Sequence, residues 1–115
     1  MIMRSAGYPV ELKEKMRGGE GVVTSEEFLT PAELYDKGRL YGKLTLPPGA
    51  SIGVHVHEGE MESFFVISGK AEYLDDSEST ILLPGDTTLT QSGERHSLKN
   101  IGDTPLEVIA LILYK

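Results

Sequence analysis

From residue 39 onward, polar and apolar residues alternate with a period of two. Leu40, Gly42, Leu44 and Leu46 share one face of a predicted strand, and Arg39, Tyr41, Lys43 and Thr45 share the other. Pro47-Pro48-Gly49 ends it, because proline cannot continue a strand ladder and glycine permits the turn. The run after Glu62 is apolar on both faces: Phe64 and Val66 lie on the side of the carboxylate, Phe65 and Ile67 on the other. Leu106 to Tyr114 is also apolar on both faces. Between them, short strands are predicted at Ala71–Leu74, Thr80–Leu83 and Thr87–Thr90, the last two separated by Pro84-Gly85-Asp86, and Asp75 to Ser79 reads as a polar loop. With turns every eight to twelve residues or so, the pattern alone predicts an all-β sandwich or small barrel.

The first third reads differently. Residues 1 to about 20 carry mixed charge and end in Gly18-Gly19-Glu20-Gly21, which predicts a loosely docked arm and a flexible turn. Val22 to Thr24 reads as a short edge strand. Thr30-Pro31-Ala32-Glu33 is a capping box with proline at the first helical position, and Gly38 supplies a stop, so a short helix is predicted over Pro31–Lys37. The organisation expected is one domain over residues 1–115: an N-terminal arm and short helix over 1–38, then a barrel over 39–115.

The chemistry concentrates in GASIGVHVHEGEMESFFVISG, Gly49 to Gly69. His55 and His57 are two apart, so on a strand their imidazoles project from one face, and a hairpin return brings Glu62 beside them. His96, the third and last histidine, sits in a similar turn-then-strand setting, with Leu98 and Asn100 on its face and Arg95 turned away. Three imidazoles and one carboxylate make a site for a divalent transition metal. The chain has no cysteine, so neither disulfides nor thiolate ligands are available. A net charge of −7 argues against a nucleic-acid partner or an anionic membrane surface. The longest apolar run, Val108 to Leu113, is far short of the roughly 20 residues that span a bilayer. The start lacks the apolar segment of a secretory signal, so cytoplasmic residence is expected.

These residues resemble the two cupin motifs. The first, G-x5-H-x-H-x4-E-x6-G, is matched at every fixed position by Gly49, His55, His57, Glu62 and Gly69. The second, G-x5-P-x-G-x2-H-x3-N, is matched by Gly85, Gly93, His96 and Asn100, with Gln91 where the family usually has proline; 15 residues separate the motifs. The resemblance implies a double-stranded β-helix, or jelly-roll, barrel enclosing a metal held by His55, His57, Glu62 and His96. The ion expected is Mn, Fe, Ni, Co or Zn, with Mn or Fe favoured because four protein ligands leave two positions of a six-coordinate ion open. The activities implied are those of a metal-dependent enzyme on a small oxygenated molecule, either a dioxygenase or a decarboxylase of small dicarboxylates such as oxalate. A non-catalytic metal or small-ligand binding module is the alternative. A sugar-phosphate isomerase ranks third, because only scattered Arg39, Lys43 and Arg95 are available to grip phosphate.

For a decarboxylase, Glu58 and Glu60 are the nearest proton donors. Phe64, Val66 and Leu98 are the expected apolar lining of the pocket, joined by Tyr41, Lys43 and Gln91. Protons compete for imidazoles, so metal loss is expected below about pH 6. Two strands with apolar outer faces, around Phe65 and around Leu111, are more than a monomer exposes, so a homodimer is expected.

Overall fold

The computed structural model describes residues 1–115. Nine strands occur in the order β1 (Val10–Glu14), β2 (Val22–Glu27), β3 (Gly38–Leu46), β4 (Ser51–Val56), β5 (Glu60–Ser68), β6 (Ala71–Asp75), β7 (Glu78–Leu82), β8 (Arg95–Asn100) and β9 (Leu106–Tyr114). They form two antiparallel sheets, β1-β2-β3-β9-β5 and β4-β8-β6-β7. Chain neighbours often sit far apart: β3 pairs with β9, and β4 pairs with β8. Thr87 and Thr90 bridge to Phe65 and Glu62, which ties the segment before β8 to the free edge of β5. The result is the expected double-stranded β-helix.

The core lies between the sheets. Leu44 and Leu46 of β3, Phe64 and Val66 of β5, Leu98 of β8 and Leu106 and Val108 of β9 are all buried in one cluster. Each is an inward position of the period-two pattern, so burial of these side chains selects the strand register. Asn100, at the end of β8, is buried too. Its amide donates to the carbonyls of Leu46 and Thr104, both at 2.8 Å, and its oxygen accepts from Gly102 N–H at 2.9 Å, which pins the turn into β9.

The first third departs from expectation in three ways. Residues 10–14, expected within a loose arm, form β1, an edge strand paired along its length with β2. β2 is longer than the edge strand expected at Val22–Thr24 and is flanked on both sides, by β1 and β3. The helix expected over Pro31–Lys37 is absent. The capping box does form, with Thr30 N–H donating to Glu33 Oε1 at 2.9 Å and Glu33 N–H donating to Thr30 Oγ1 at 3.2 Å. The turn closes at once, however, because Tyr35 and Asp36 both take left-handed backbone (φ 55° each), which no α-helix continues. The only helical turns are two 3-10 segments, Ser5–Gly7 and Met16–Gly18. Later in the chain, Thr87–Thr90 makes single bridges instead of a strand. The loop expected at Asp75–Ser79 tightens to a hairpin turn, with Asp75 opposite Glu78.

Candidate metal centre

Four side chains from three strands and one adjoining turn meet inside the barrel. His55 is on β4, His57 follows its end, Glu62 is on β5 and His96 is on β8. β4 carries a bulge between Ile52 and His55. It returns His55 to the inward face already used by Ile52 and brings the Gly53 carbonyl to 2.7 Å from His55 Nδ1. Gly53 has to be glycine here, because an added Cβ would overlap the carbonyl of Arg17, on the loop that packs against it. In β8, His96 is fully buried; its Nδ1–H donates to Thr90 Oγ1 at 2.9 Å, and the Tyr73 hydroxyl lies 2.7 Å from the same Thr90 oxygen. The Phe64 ring stacks on His96, with centroids 5.3 Å apart and planes 4° from parallel.

His57 Nδ1–H donates to Glu60 Oε1 at 2.8 Å, and Arg39 grips the same carboxylate with a fork, Nε to Oε2 at 2.8 Å and Nη2 to Oε1 at 2.7 Å. Each imidazole thus has its Nδ1 committed to a fixed acceptor, which leaves Nε2 aimed at the common centre.

The distances at that centre discriminate between geometries. The three Nε2 atoms are 3.1, 3.0 and 3.0 Å apart, and Glu62 Oε1 is 2.9 Å from the Nε2 atoms of both His57 and His96. The sixth pair, His55 with Glu62, is longer than 4.0 Å but within 4.8 Å. An octahedral ion with bonds of about 2.1 Å puts adjacent ligands about 3.0 Å apart and opposite ones about 4.2 Å apart. A tetrahedral ion would make all six separations about 3.4 Å. The donors therefore fit a six-coordinate ion better than a tetrahedral one, and His55, His57, Glu62 and His96 would hold it.

Electrostatics favour a cation there. Burial pushes the His55 imidazole down to about 4, so it stays neutral and able to ligate. Burial works to raise the Glu62 carboxyl, but the hydrogen bonds of His57 and His96 overcome it and hold the group at about 2, ionised. His57 is raised, first by its hydrogen bond to Glu62, against burial and with help from Glu60. A proton on His57 is therefore the competitor that an arriving ion displaces.

The centre opens into a cavity of about 600 Å3. His55, His57 and Glu62 form its floor, with Leu40, Ile52 and Ile112 as apolar wall. The rest comes from the first two strands and the loop between them, including Lys13, Met16, Ser25 and Glu27, and from Arg39.

This lining differs from the one expected. Phe64, Val66 and Leu98 are buried core beneath the centre and do not reach the cavity. Tyr41 packs edge-on against Phe28 at 5.2 Å. Lys43 pairs with Glu107 at 2.9 Å and Glu26 at 3.6 Å. Gln91 lies in the turn before β8, where its N–H donates to Glu94 Oε1 at 2.8 Å, a bond that proline in that place lacks. Neither expected proton donor is a free acid in the cavity. Glu58 is exposed outside it, and Glu60 is ion-paired, its carboxyl pulled down to about 2 first by the Arg39 fork.

The sequence pattern named Arg39 only as a scattered cation on an outward face, and gave no sign of β1. Arg39 falls on the outward side by alternation, and a register shift between Gly38 and Leu40 turns it inward. The shift depends on Gly38, where an added Cβ would overlap the Ile112 carbonyl of β9. No pattern in the sequence marks it.

The family model for the cupin domain matches residues 42–112. The chain is a cupin. An oxalate-binding protein of Thermotoga maritima is 38% identical to this cupin over 113 residues, covering 98% of this chain and 93% of the relative. A Thermotoga maritima crystal structure described as a predicted oxalate decarboxylase superposes with a TM-score of 0.96 at 37% identity, over 100% of both chains. The structure of KdgF from Halomonas sp. shares the cupin fold at a TM-score of 0.72 and 17% identity, over 91% of this chain and 86% of that one.

Proposed function

We propose that this cupin uses His55, His57, Glu62 and His96 to hold a six-coordinate divalent ion, Mn or Fe before Zn, and binds a small dicarboxylate of the oxalate class against it. The observation that carries the reading is the one long separation among six, because it fits a six-coordinate ion, on which four protein ligands leave two positions for a chelating ligand. A bound ion supplies a Lewis acid that draws two oxygens of one ligand into a chelate. The protein's own residues do the rest. Thr90, Gly53 and Glu60 fix the three imidazole orientations, and Leu40, Ile52 and Ile112 exclude water beside the centre. The oxalate-binding relative, similar over nearly its whole length, supports the ligand class.

Binding without turnover stands ahead of decarboxylation because Glu60 is tied to Arg39 and His57 and Glu58 lies outside the cavity. Decarboxylation is the second reading. Its proton donor would be Glu27, a half-buried cavity residue whose carboxylate has no hydrogen-bond or ion-pair partner. The sugar-phosphate reading loses two of its three cations, since Lys43 is paired with Glu107 and Arg95 Nε donates to the Asp76 carbonyl at 2.9 Å.

The test is isothermal titration of oxalate into Mn-loaded and metal-stripped protein, with formate release followed in parallel. Binding by the loaded form alone, without formate, is the expected result. Equal binding by the stripped form would refute the reading, and formate release would move the second reading ahead of the first.

We further propose that the cupin acts as a homodimer through the outer face of β5 and β9. Phe65 lies opposite Ile109 in neighbouring strands, so the two apolar stripes form one continuous patch, with Phe65 44% and Ile67 41% exposed.

A further inference from the structure

A chelated dicarboxylate turns two oxygens toward its ion and two away from it. The outward pair carries charge that the metal ligands do not reach, and in a partly dry cavity it needs donors. Three cationic residues outside the family-matched segment line the cavity, Lys13, Arg17 and Arg39, and strand register places the first and an ion pair the last. Lys13 of β1 sits opposite Val23 of β2, whose side chain is buried in the core, so Lys13 faces inward from the same side of the sheet. Its only acidic neighbour is the largely exposed Glu11, at 3.8 Å, a separation too long for a hydrogen bond. Arg39 uses two of its five N–H donors on Glu60, which leaves three for another partner while the fork keeps the guanidinium in place. Through Glu60 it is one carboxylate away from His57. Glu27 shares the same wall and opposes them in sign.

We infer that Lys13 and Arg39 form the outer half of the ligand site and select doubly charged chelators over singly charged ones by binding the oxygens that face away from the metal. The inference rests on the dicarboxylate reading above. Arg39 has two roles in it, positioning His57 through Glu60 and offering its free N–H groups to the ligand. Lys13 makes no hydrogen bond or ion pair to Glu60 or to a metal ligand, so its removal isolates the second role.

Oxalate and glycolate both chelate through two oxygens, but only oxalate has a second carboxylate. Their affinities for the Mn-loaded full chain are measured by calorimetry in the wild type, Lys13→Gln, Arg39→Lys and Glu27→Gln, with metal content determined in each. Lys13→Gln is expected to weaken oxalate about fivefold to tenfold while glycolate stays within about twofold, the scale of one charge-assisted hydrogen bond at a half-exposed site. Arg39→Lys, which keeps the charge but loses the fork, is expected to weaken oxalate in the same direction, and Glu27→Gln to strengthen it. Unchanged oxalate-to-glycolate ratios in Lys13→Gln and Arg39→Lys, with metal intact, overturn the inference and leave the metal-dependent reading standing. Weakening by Glu27→Gln as well marks general damage to the cavity and also overturns it. No oxalate binding by the loaded wild type overturns that reading and this inference together.

Discussion

Arg39 shows how one side chain beyond the four ligands sets the centre. It holds Glu60, and Glu60 holds the Nδ1 of His57, so removing the arginine frees an imidazole that must point at the ion. Partners of this kind are worth about 10- to 100-fold in metal affinity. Glu60→Gln should fall in that range in a competition with a metal chelator, and an unchanged affinity would show that His57 is oriented by packing alone. The same contact sets an acid limit. The Glu60 carboxyl sits at about 2 in the fold, below its ordinary 4.5. A depressed carboxyl stabilises the fold above its unfolded value and loses that contribution as pH falls through the folded one. The stability gap between the wild type and Arg39→Gln, read from urea midpoints of metal-free protein, should be full above pH 5 or so and close progressively toward pH 2. A gap that is constant or widens on acidification would rule out the ion pair as its source.

Among the elements, the bulge in β4 and the loop after β1 work as one unit. Lys15 and Arg17 take left-handed backbone, at φ 47° and 55°, which lets the loop lie against Gly53. Ser51 secures it, its N–H donating to the Glu20 carbonyl and its hydroxyl accepting from Glu20 N–H, both at 2.9 Å. Since the Gly53 carbonyl orients His55, the loop braces a metal ligand. Gly53→Ala should cost about 1–3 kcal/mol of stability, as an overpacked site does, and weaken metal binding with it. Urea denaturation and chelator competition measure the two effects; loss of stability with metal affinity intact would uncouple loop from ligand.

Here the reach of the sequence is clear. The spacing of His55, His57 and Glu62 was legible from their motif, but the hairpin expected to bring Glu62 back beside the histidines does not form: β4 and β5 belong to different sheets, and the turn between them carries the chain from one to the other. His96 was legible from its motif. The bulges at Gly38 and Gly53 were not, because a register shift leaves no trace in alternation until the partner strand is known. The helix expected after Thr30 failed for a related reason: its capping box is local and formed, while left-handed Tyr35 and Asp36 answer to the start of β3.

For the molecule as a whole, one strip of an outer sheet face, along β5 and β9, remains apolar beside the Lys43–Glu107 ion pair. The barrel buries its interior, yet Phe65 and Ile67 keep over two-fifths of their surface. Sedimentation at micromolar concentration should give twice the chain mass, and Phe65→Glu should return it to one by placing a charge in the patch. A wild-type protein sedimenting as a single chain would end the dimer proposal. The expected pocket, Phe64, Val66 and Leu98, was placed by the correct face of the correct strands. It proved to be solid core because the cavity lies at the other side of the centre, under β1 and β2.

That division of labour has a consequence for how such a barrel can change. The ion's ligands come from β4, β5 and β8 and the turn beside them, whereas much of the cavity rim comes from a leading hairpin that contributes none of them. The metal ligands and most of the cavity rim are therefore written in different parts of the chain, which meet where the loop after β1 braces Gly53 and where Arg39 holds Glu60. A chimaera that keeps this barrel and takes its first two strands from a relative should inherit the barrel's ion and the donor's appetite.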